Sequence, residues 1–526
     1  MNGAQALIRT LVNLGVEVCF MNPGTSELQF VGALDSVPEM RAVLALFEGV
    51  ATGAADGYAR IAGKPAATLL HLGPGLGNGI ANLHNAKKAR TPMVNVVGEH
   101  ATYHREFKPP LSADIEGLAS AVSKYVTTAE TLDGLVGEVK AAFDAAVGAP
   151  CGIATIIVPA DLTWTDGIDA ESVLDGSQPG NPPDKPDVED ESRLQAAAEA
   201  LRSGVPCTLF LGGGALSERG LIAASRLANA FGAKLLCETF PAVLHRGAGI
   251  PPIDRLGYLG EFAMMQLAGT KTLILVGAKD PVAFFAYPNK PSRYAPPDAD
   301  VLVMCGLTGD AEAHLERLVE LLGVSTTEPT IQGSVVPPLP RGPLTGAGVV
   351  AAIGALLPEN AIVSDESITM GVSAPAATAG SPRHRWLTLT GGAIGQGMPL
   401  ATGAAVAAPD CKVVNIQADG SALYTIQALW TQARENLDVT TVILNNQSYA
   451  ILEFELNRVG AEAGGPLARS MLALSPPQID FASIAKGFGV DAVSVSTGED
   501  LCAQLERAFR EPGPHLIEAL LPKGIS

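Results

Sequence analysis

Basic clusters are what this chain most clearly lacks. With 35 Lys and Arg against 54 Asp and Glu, the formal net charge is −19, which works against nucleic acid and anionic membranes as partners. No local run of Lys or Arg offsets the imbalance. Any Cys-x-x-Cys spacing is also missing. The seven cysteines stand at 19, 151, 207, 237, 305, 411 and 502, a scattered, odd-numbered set that points away from a zinc site and toward a reducing, cytoplasmic setting. No apolar run reaches the ~20 residues of a membrane span. Arg9 interrupts the apolar pattern where a signal peptide would be continuous.

What is present fills several cores. A chain of 526 residues suggests about three domains, and hydrophobic residues make up 47% of it. Two proline-rich stretches divide it: 166–192, with Pro179, Pro182, Pro183 and Pro186, and 326–345, with Pro337, Pro338, Pro340 and Pro343. Read as surface linkers, they delimit domains at 1–165, 193–325 and 346–526. Strand patterns alternate with helical ones in all three, which predicts α/β domains with mainly parallel sheets flanked by helices.

The richest stretch runs from Lys412 to Tyr449. Val413, Val414 and Ile416 read as a buried strand, Asp419-Gly420 as the turn after it, and Ser421 as the N-cap of a helix carrying Ile426, Leu429, Trp430 and Ala433 to about Asn436. Thr441 to Leu444 form a second buried run closed by Asn445-Asn446. In such a right-handed βαβ unit both strand C-termini share one edge, so Asp419 and Asn446 meet there. One carboxylate, one amide oxygen and the Ser448 main-chain carbonyl suit Mg²⁺ at ~2.0–2.1 Å. A diphosphate at the helix start would complete the arrangement.

Four strand ends in the first domain also carry polar residues. Val16–Phe20 leads to Asn22-Pro23-Gly24-Thr25-Ser26, Val43–Phe47 to Glu48, Ala67–Leu70 to His71, and Met93–Val97 to Gly98-Glu99-His100. The strand-end rule for open α/β sheets assigns all four to one crevice. Each also has a plain reading: Glu48 as a carboxylate at a helix start, Thr25 or Ser26 as a cap, His71 and His100 as packed histidines.

The run Ala-Asp-Gly-Ser followed by a strand ending Asn-Asn-Gln-Ser-Tyr resembles the diphosphate-binding motif of thiamine diphosphate (ThDP) enzymes, with Ala418 where the family usually has Gly. Asn-Pro-Gly-Thr-Ser-Glu-Leu and Phe-Glu-Gly-Val-Ala-Thr-Gly-Ala-Ala-Asp-Gly-Tyr-Ala-Arg are similar to the pyrimidine-binding domain of the benzoylformate decarboxylase and acetolactate synthase group. The resemblance implies a ThDP-dependent decarboxylase-like fold and ThDP with Mg²⁺ as cofactors. Glu48 would bind the pyrimidine, and Glu366, Ser367, Gly392, Ala393, Gly420, Ser421, Asn446 and Tyr449 would approach the cofactor. Ile394 would lie beneath its bend, or be one more buried aliphatic.

His71 would handle protons, with Thr25 or neighbouring Ser26 holding the substrate carboxylate and His100 as a further candidate. The pyrimidine and diphosphate halves come from different subunits in this group, implying a homodimer at least and commonly a homotetramer. Pro281–Pro288 carries no histidine where benzoylformate decarboxylases supply a second one, which counts against benzoylformate itself. Gly212-Gly213-Gly214 lacks the G-x-G-x-x-G pattern, so a structural central domain is expected rather than one binding FAD.

Ala450–Arg458 would border the substrate pocket, where Ile451, Glu453 and Phe454 make it tight and acidic and Arg458 either binds an acidic substrate or lies exposed. The expected reaction is decarboxylation of a 2-oxo acid to an aldehyde. The rivals are carboligation as in acetolactate synthase, a silent paralogue with a scaffold or regulatory role, and a flavin oxidase.

Overall fold

The computed structural model describes residues 1–176, 191–459 and 464–523. Three sheets organise them. The first contains β1 (Val18–Asn22), β2 (Arg41–Leu44), β3 (Ala66–Leu70), β4 (Met93–Glu99), β5 (Tyr125–Thr128) and β6 (Ile153–Pro159), in the order β2-β1-β3-β4-β6-β5. All its pairings are parallel. The second orders β7 (Cys207–Leu211), β8 (Lys234–Cys237), β10 (Asp254–Arg255), β11 (Thr272–Val276) and β12 (Asp300–Cys305) as β10-β8-β7-β11-β12, again all parallel.

The third sheet holds β13 (Ala361–Glu366), β14 (His384–Thr388), β15 (Val413–Ala418), β16 (Val439–Asn445), β17 (Asp491–Val495) and β18 (His515–Leu520). Its order is β17-β18-β16-β15-β13-β14-β9, where β9 (Leu244–Arg246) comes from the central segment and pairs antiparallel with β14. Strands such as β6 and β16 are buried along their whole length, because helices cover both faces and every side chain must be apolar or internally bonded. Among the described residues no helix is long and apolar enough to cross a membrane.

Local departures from the sequence pattern have identifiable causes. The first strand begins at Val18, two residues later than its apolar run, because the Val16 amide still bonds to Leu11 O at the end of the preceding helix. Asp419-Gly420 is no turn: the helix starts at Asp419, and Ala418 is its cap with φ −75° and ψ 148°. That extended backbone suits alanine, so the missing glycine costs nothing. Ser421 lies inside the first turn, its hydroxyl donating to Ala418 O at 3.1 Å.

The single helix expected to reach Asn436 is two, Asp419–Thr425 and Ala428–Arg434. Leu429 and Trp430 bond back only three residues, to Ile426 O and Gln427 O, a tightened 3₁₀ junction. Of the first proline-rich stretch, Ala170–Gly176 is helical, and Pro179 to Pro186 lie outside the described residues. The second has no helix or strand between Leu322 and Gly346.

The first and third sheets are joined through helices Glu48–Ala62 and Gly397–Ala407. These approach so closely that a Cβ at Gly57 would fall 2.0 Å from Leu400 O, and one at Gly403 1.8 Å from Ala54 O. At this contact Asp56, fully buried, accepts both arms of Arg60 at 2.8 and 2.6 Å, the Thr91 hydroxyl at 2.5 Å and Gln396 Nε2 at 2.6 Å. Arg60 in turn donates to Thr388 O at 3.0 Å, to the Thr390 hydroxyl at 2.9 Å and to Ala242 O at 3.3 Å. Removing one partner of a buried ion pair strands the other charge and costs ~3–5 kcal/mol. Arg60→Ala should therefore lower the thermal unfolding midpoint by many degrees, whereas Arg41→Ala, at a half-exposed pair with Glu435, should barely move it.

Candidate functional site

Parallel sheets place strand C-termini on one edge, and the third sheet uses that edge for a cavity. It is lined by Ser367 beyond β13, Ile394 from the loop after β14, Asp419, Gly420 and Ser421 beyond β15, and Asn446, Ser448, Tyr449, Ala450 and Ile451 beyond β16. Eight residues expected from sequence to approach a cofactor or metal thus meet in one place. Asp419 is 3% exposed. It accepts the main-chain N–H groups of Gly420 at 2.8 Å and Gln447 at 2.7 Å. Burial pushes its carboxyl up to about 6, against the pull of these donors.

Gln447 adopts a left-handed φ of 58°, which turns the chain between Asn446 and Ser448. The Ser448 hydroxyl donates to Glu453 Oε1 at 2.6 Å, and its main-chain carbonyl is the oxygen expected from sequence to reach an ion. Carboxylate, amide and carbonyl oxygens make a hard donor set with no nitrogen or sulfur, which fits a cation such as Mg²⁺. At Gly420 a Cβ would stand 2.3 Å from the Tyr449 ring. Only glycine lets this ring cross the helix start.

Glu366, Gly392 and Ala393, also expected from sequence, do not line this cavity. Glu366 is 2% exposed and accepts from the amides of Gly395 at 2.7 Å, Gln396 at 3.4 Å and Gly397 at 2.6 Å, and from Gln417 Nε2 at 2.9 Å. Burial raises its pKa and the four donors oppose the rise. Its side chain therefore sets the loop that presents Ile394. Ala393 is held through both main-chain groups by Asn85, at 3.2 and 2.8 Å. Gly392, with φ 74°, lies under Phe284, whose ring a Cβ there would meet at 2.4 Å.

The first sheet builds a second cluster. Glu48, 8% exposed, starts its helix and accepts from Asn78 Nδ2 at 3.0 Å. His71 caps the helix Leu72–Ala89 and lies close by: a Cβ at Gly75 would be 3.0 Å from Glu48 Oε1 and 3.2 Å from His71 Cβ. His71 Nδ1 meets Glu27 Oε2 at 2.7 Å and Ser26 Oγ at 3.3 Å. Ser26, rather than exposed Thr25, is the hydroxyl beside the histidine. Neither hydroxyl caps the short helix; Glu27 bonds the Gly24 amide instead.

His100 packs its ring on His104 at 5.7 Å with a buried, unpartnered Nε2. No described hydrogen bond ties it to Glu48 or His71. Sequence reasoning passed over Glu27 and Asn78, because nothing in a Ser-Glu-Leu run announces that the acid is buried. Arg458 is neither exposed nor turned toward a cavity. Its side chain, 19% exposed, pairs with Glu261 at 2.9 Å and covers the Tyr287 ring at 4.7 Å.

Glu48 and His71 are absent from the cavity lining, which comes from the third-sheet segment alone. The site is two halves, one on each outer sheet: a carboxylate with a histidine, and a hard-cation pocket beneath an aliphatic residue. This is the arrangement of a thiamine diphosphate enzyme, and comparison with known proteins agrees. The model for "Thiamine pyrophosphate enzyme, N-terminal TPP binding domain" matches residues 1–120, and that for the C-terminal TPP binding domain matches residues 379–519.

The chain belongs to the thiamine pyrophosphate enzyme family. It is 54% identical, over 99% of both chains, to a Mycobacterium tuberculosis protein named "Putative acetolactate synthase large subunit IlvX". To benzoylformate decarboxylase of Pseudomonas aeruginosa it is 29% identical over 96% of both. The fold matches that of the Rhodococcus jostii thiamine diphosphate-dependent 4-hydroxybenzoylformate decarboxylase with a TM-score of 0.86 at 24% identity, covering 100% of both chains. Gly420→Ala should push Tyr449 from the helix start and weaken ThDP binding at least tenfold in calorimetry, with the unfolding midpoint little changed.

Proposed function

We propose that this protein is a ThDP- and Mg²⁺-dependent lyase that decarboxylates a 2-oxo acid to CO₂ and an aldehyde. The observation that carries the reading is the meeting of Asp419, Asn446, Ser448 and Ile394 at one cavity, alongside a Glu48–His71 cluster on the other outer sheet. When bound, ThDP supplies the carbon nucleophile and the electron sink that decarboxylation needs. The chain's own residues do the rest. Asp419, Asn446 and the Ser448 carbonyl would hold Mg²⁺, Glu48 would hydrogen-bond the pyrimidine ring nitrogen, and His71 would move the proton that the product carbon acquires.

Two half-sites on separate domains suit an assembly in which one subunit's first domain faces the partner's third, so we infer a homodimer as the minimum unit and a homotetramer as the expected form. Seven free cysteines fit a reducing cytoplasm.

A second reading, carboligation of two 2-oxo acids, draws on the relative at 54% identity and on the histidine-free Pro281–Pro288 segment. Assaying CO₂ release over a panel of 2-oxo acids, with mass spectrometry of products, separates the two. CO₂ with the matching aldehyde is expected. A hydroxyketone without aldehyde would replace lyase by transferase, and no CO₂ from any member would favour a silent paralogue. Glu48→Gln should cut turnover by ~100-fold or more; unchanged turnover would sink the mechanism.

Metal binding should depend on pH. Because the Asp419 carboxyl, free of metal, holds its proton up to about pH 6, Mg²⁺ must displace that proton below this point. Affinity should be flat above pH 7 and fall as the pH drops through about 6, read by calorimetry in the presence of ThDP.

A further inference from the structure

Glu27 is the residue around which the His71 cluster is built. Its carboxylate, 2% exposed, receives three groups: the Gly24 amide at 2.8 Å and His71 Nδ1 at 2.7 Å on Oε2, and the Ser26 hydroxyl at 2.8 Å on Oε1. An ionised carboxylate can only accept, so each of these partners donates. Nδ1 of His71 thus carries hydrogen in the neutral ring, and Nε2 keeps its lone pair free. The Ser26 proton is likewise committed to Glu27.

Two glycines make room for the pair. A Cβ at Gly98 would fall 1.7 Å from Glu27 Oε1, and one at Gly24 2.1 Å from His71 Nδ1. Backbone that yields space to one ion pair from two separate strand ends is hard to explain by capping alone. A cap needs only the Gly24 contact.

Building on the lyase reading above, we propose that Glu27 is a positioning residue that fixes the His71 tautomer, leaving Nε2 as the atom that carries a proton to and from substrate. Of the other charged side chains near the ring, Glu48 lies across Gly75 and accepts from Asn78. Glu27 is the acid that touches the imidazole.

The experiment uses the full-length holoenzyme labelled with ¹⁵N-histidine, which contains eight histidines, and solid-state ¹⁵N NMR with His71→Gln for assignment. Wild type is expected to show His71 as the Nδ1–H tautomer. Glu27→Ala should return it to the commoner Nε2–H form, and Glu27→Gln, whose amide oxygen still accepts, should restore Nδ1–H. A wild-type Nε2–H tautomer, or one that Glu27→Ala leaves unaltered, would overturn the proposal.

Kinetics give the second readout. Glu27→Ala should lose ~100-fold or more in kcat. Glu27→Gln keeps an acceptor on Nδ1–H, so it should recover most of the kcat that Glu27→Ala loses; a Gln variant no faster than the Ala variant would refute the positioning role. Should wild type release no CO₂ from any 2-oxo acid, the lyase reading alone falls, and the tautomer result still decides the role of Glu27.

Discussion

A single buried carboxylate ties the three segments together. Asp56 has no solvent, and its charge is balanced by Arg60 and by two neutral donors from other elements. Because Arg60 is held flat against Asp56, its remaining N–H groups reach carbonyls and a hydroxyl beyond its own domain. The Coulomb gain of such a pair is large only where water is excluded, and the close approach of two glycine-bearing helices provides that exclusion. Packing and charge depend on each other here: the helices could not meet this closely with an unpaired acid between them.

The same device recurs at smaller scale. Glu366 gathers three consecutive amides and so sets the loop that presents Ile394; Asp419 gathers two from either side of the cation pocket; Glu27 gathers an amide, a hydroxyl and an imidazole. In each case a carboxylate organises backbone that would otherwise have unpaired N–H groups. Glu366 and Glu27 use up their oxygens this way and act through what they hold. Burial raises the Asp419 pKa despite its amide donors, which leaves it ready to exchange a proton for a cation.

Much of this was legible in sequence because it follows from periodicity and topology. Ala67–Leu70 and Met93–Val97 are apolar runs closed by polar residues, and they fold within the strands Ala66–Leu70 and Met93–Glu99. Asp419 and Asn446 meet because parallel strands share an edge, whatever lies between them. The helix after Asp419 has continuous apolar spacing in sequence, because a 3₁₀ junction at Ile426-Gln427 leaves that spacing intact. Arg458 and Glu27 illustrate a different limit. Their roles come from contacts with residues roughly 200 and 44 positions away, and a charged residue's identity does not reveal whether tertiary structure will bury it.

The strand Leu244–Arg246 has a consequence for the history of such chains. It leaves the central segment to pair with β14 at the rim of the third sheet, covering amide and carbonyl groups that would otherwise be open to edge-on pairing. A middle module that closes its neighbour's sheet cannot be exchanged as a self-contained cassette. Recombination that replaced it would have to bring an equivalent strand or blunt the exposed rim some other way, so the three parts are bound to be inherited as one unit even though each has its own sheet.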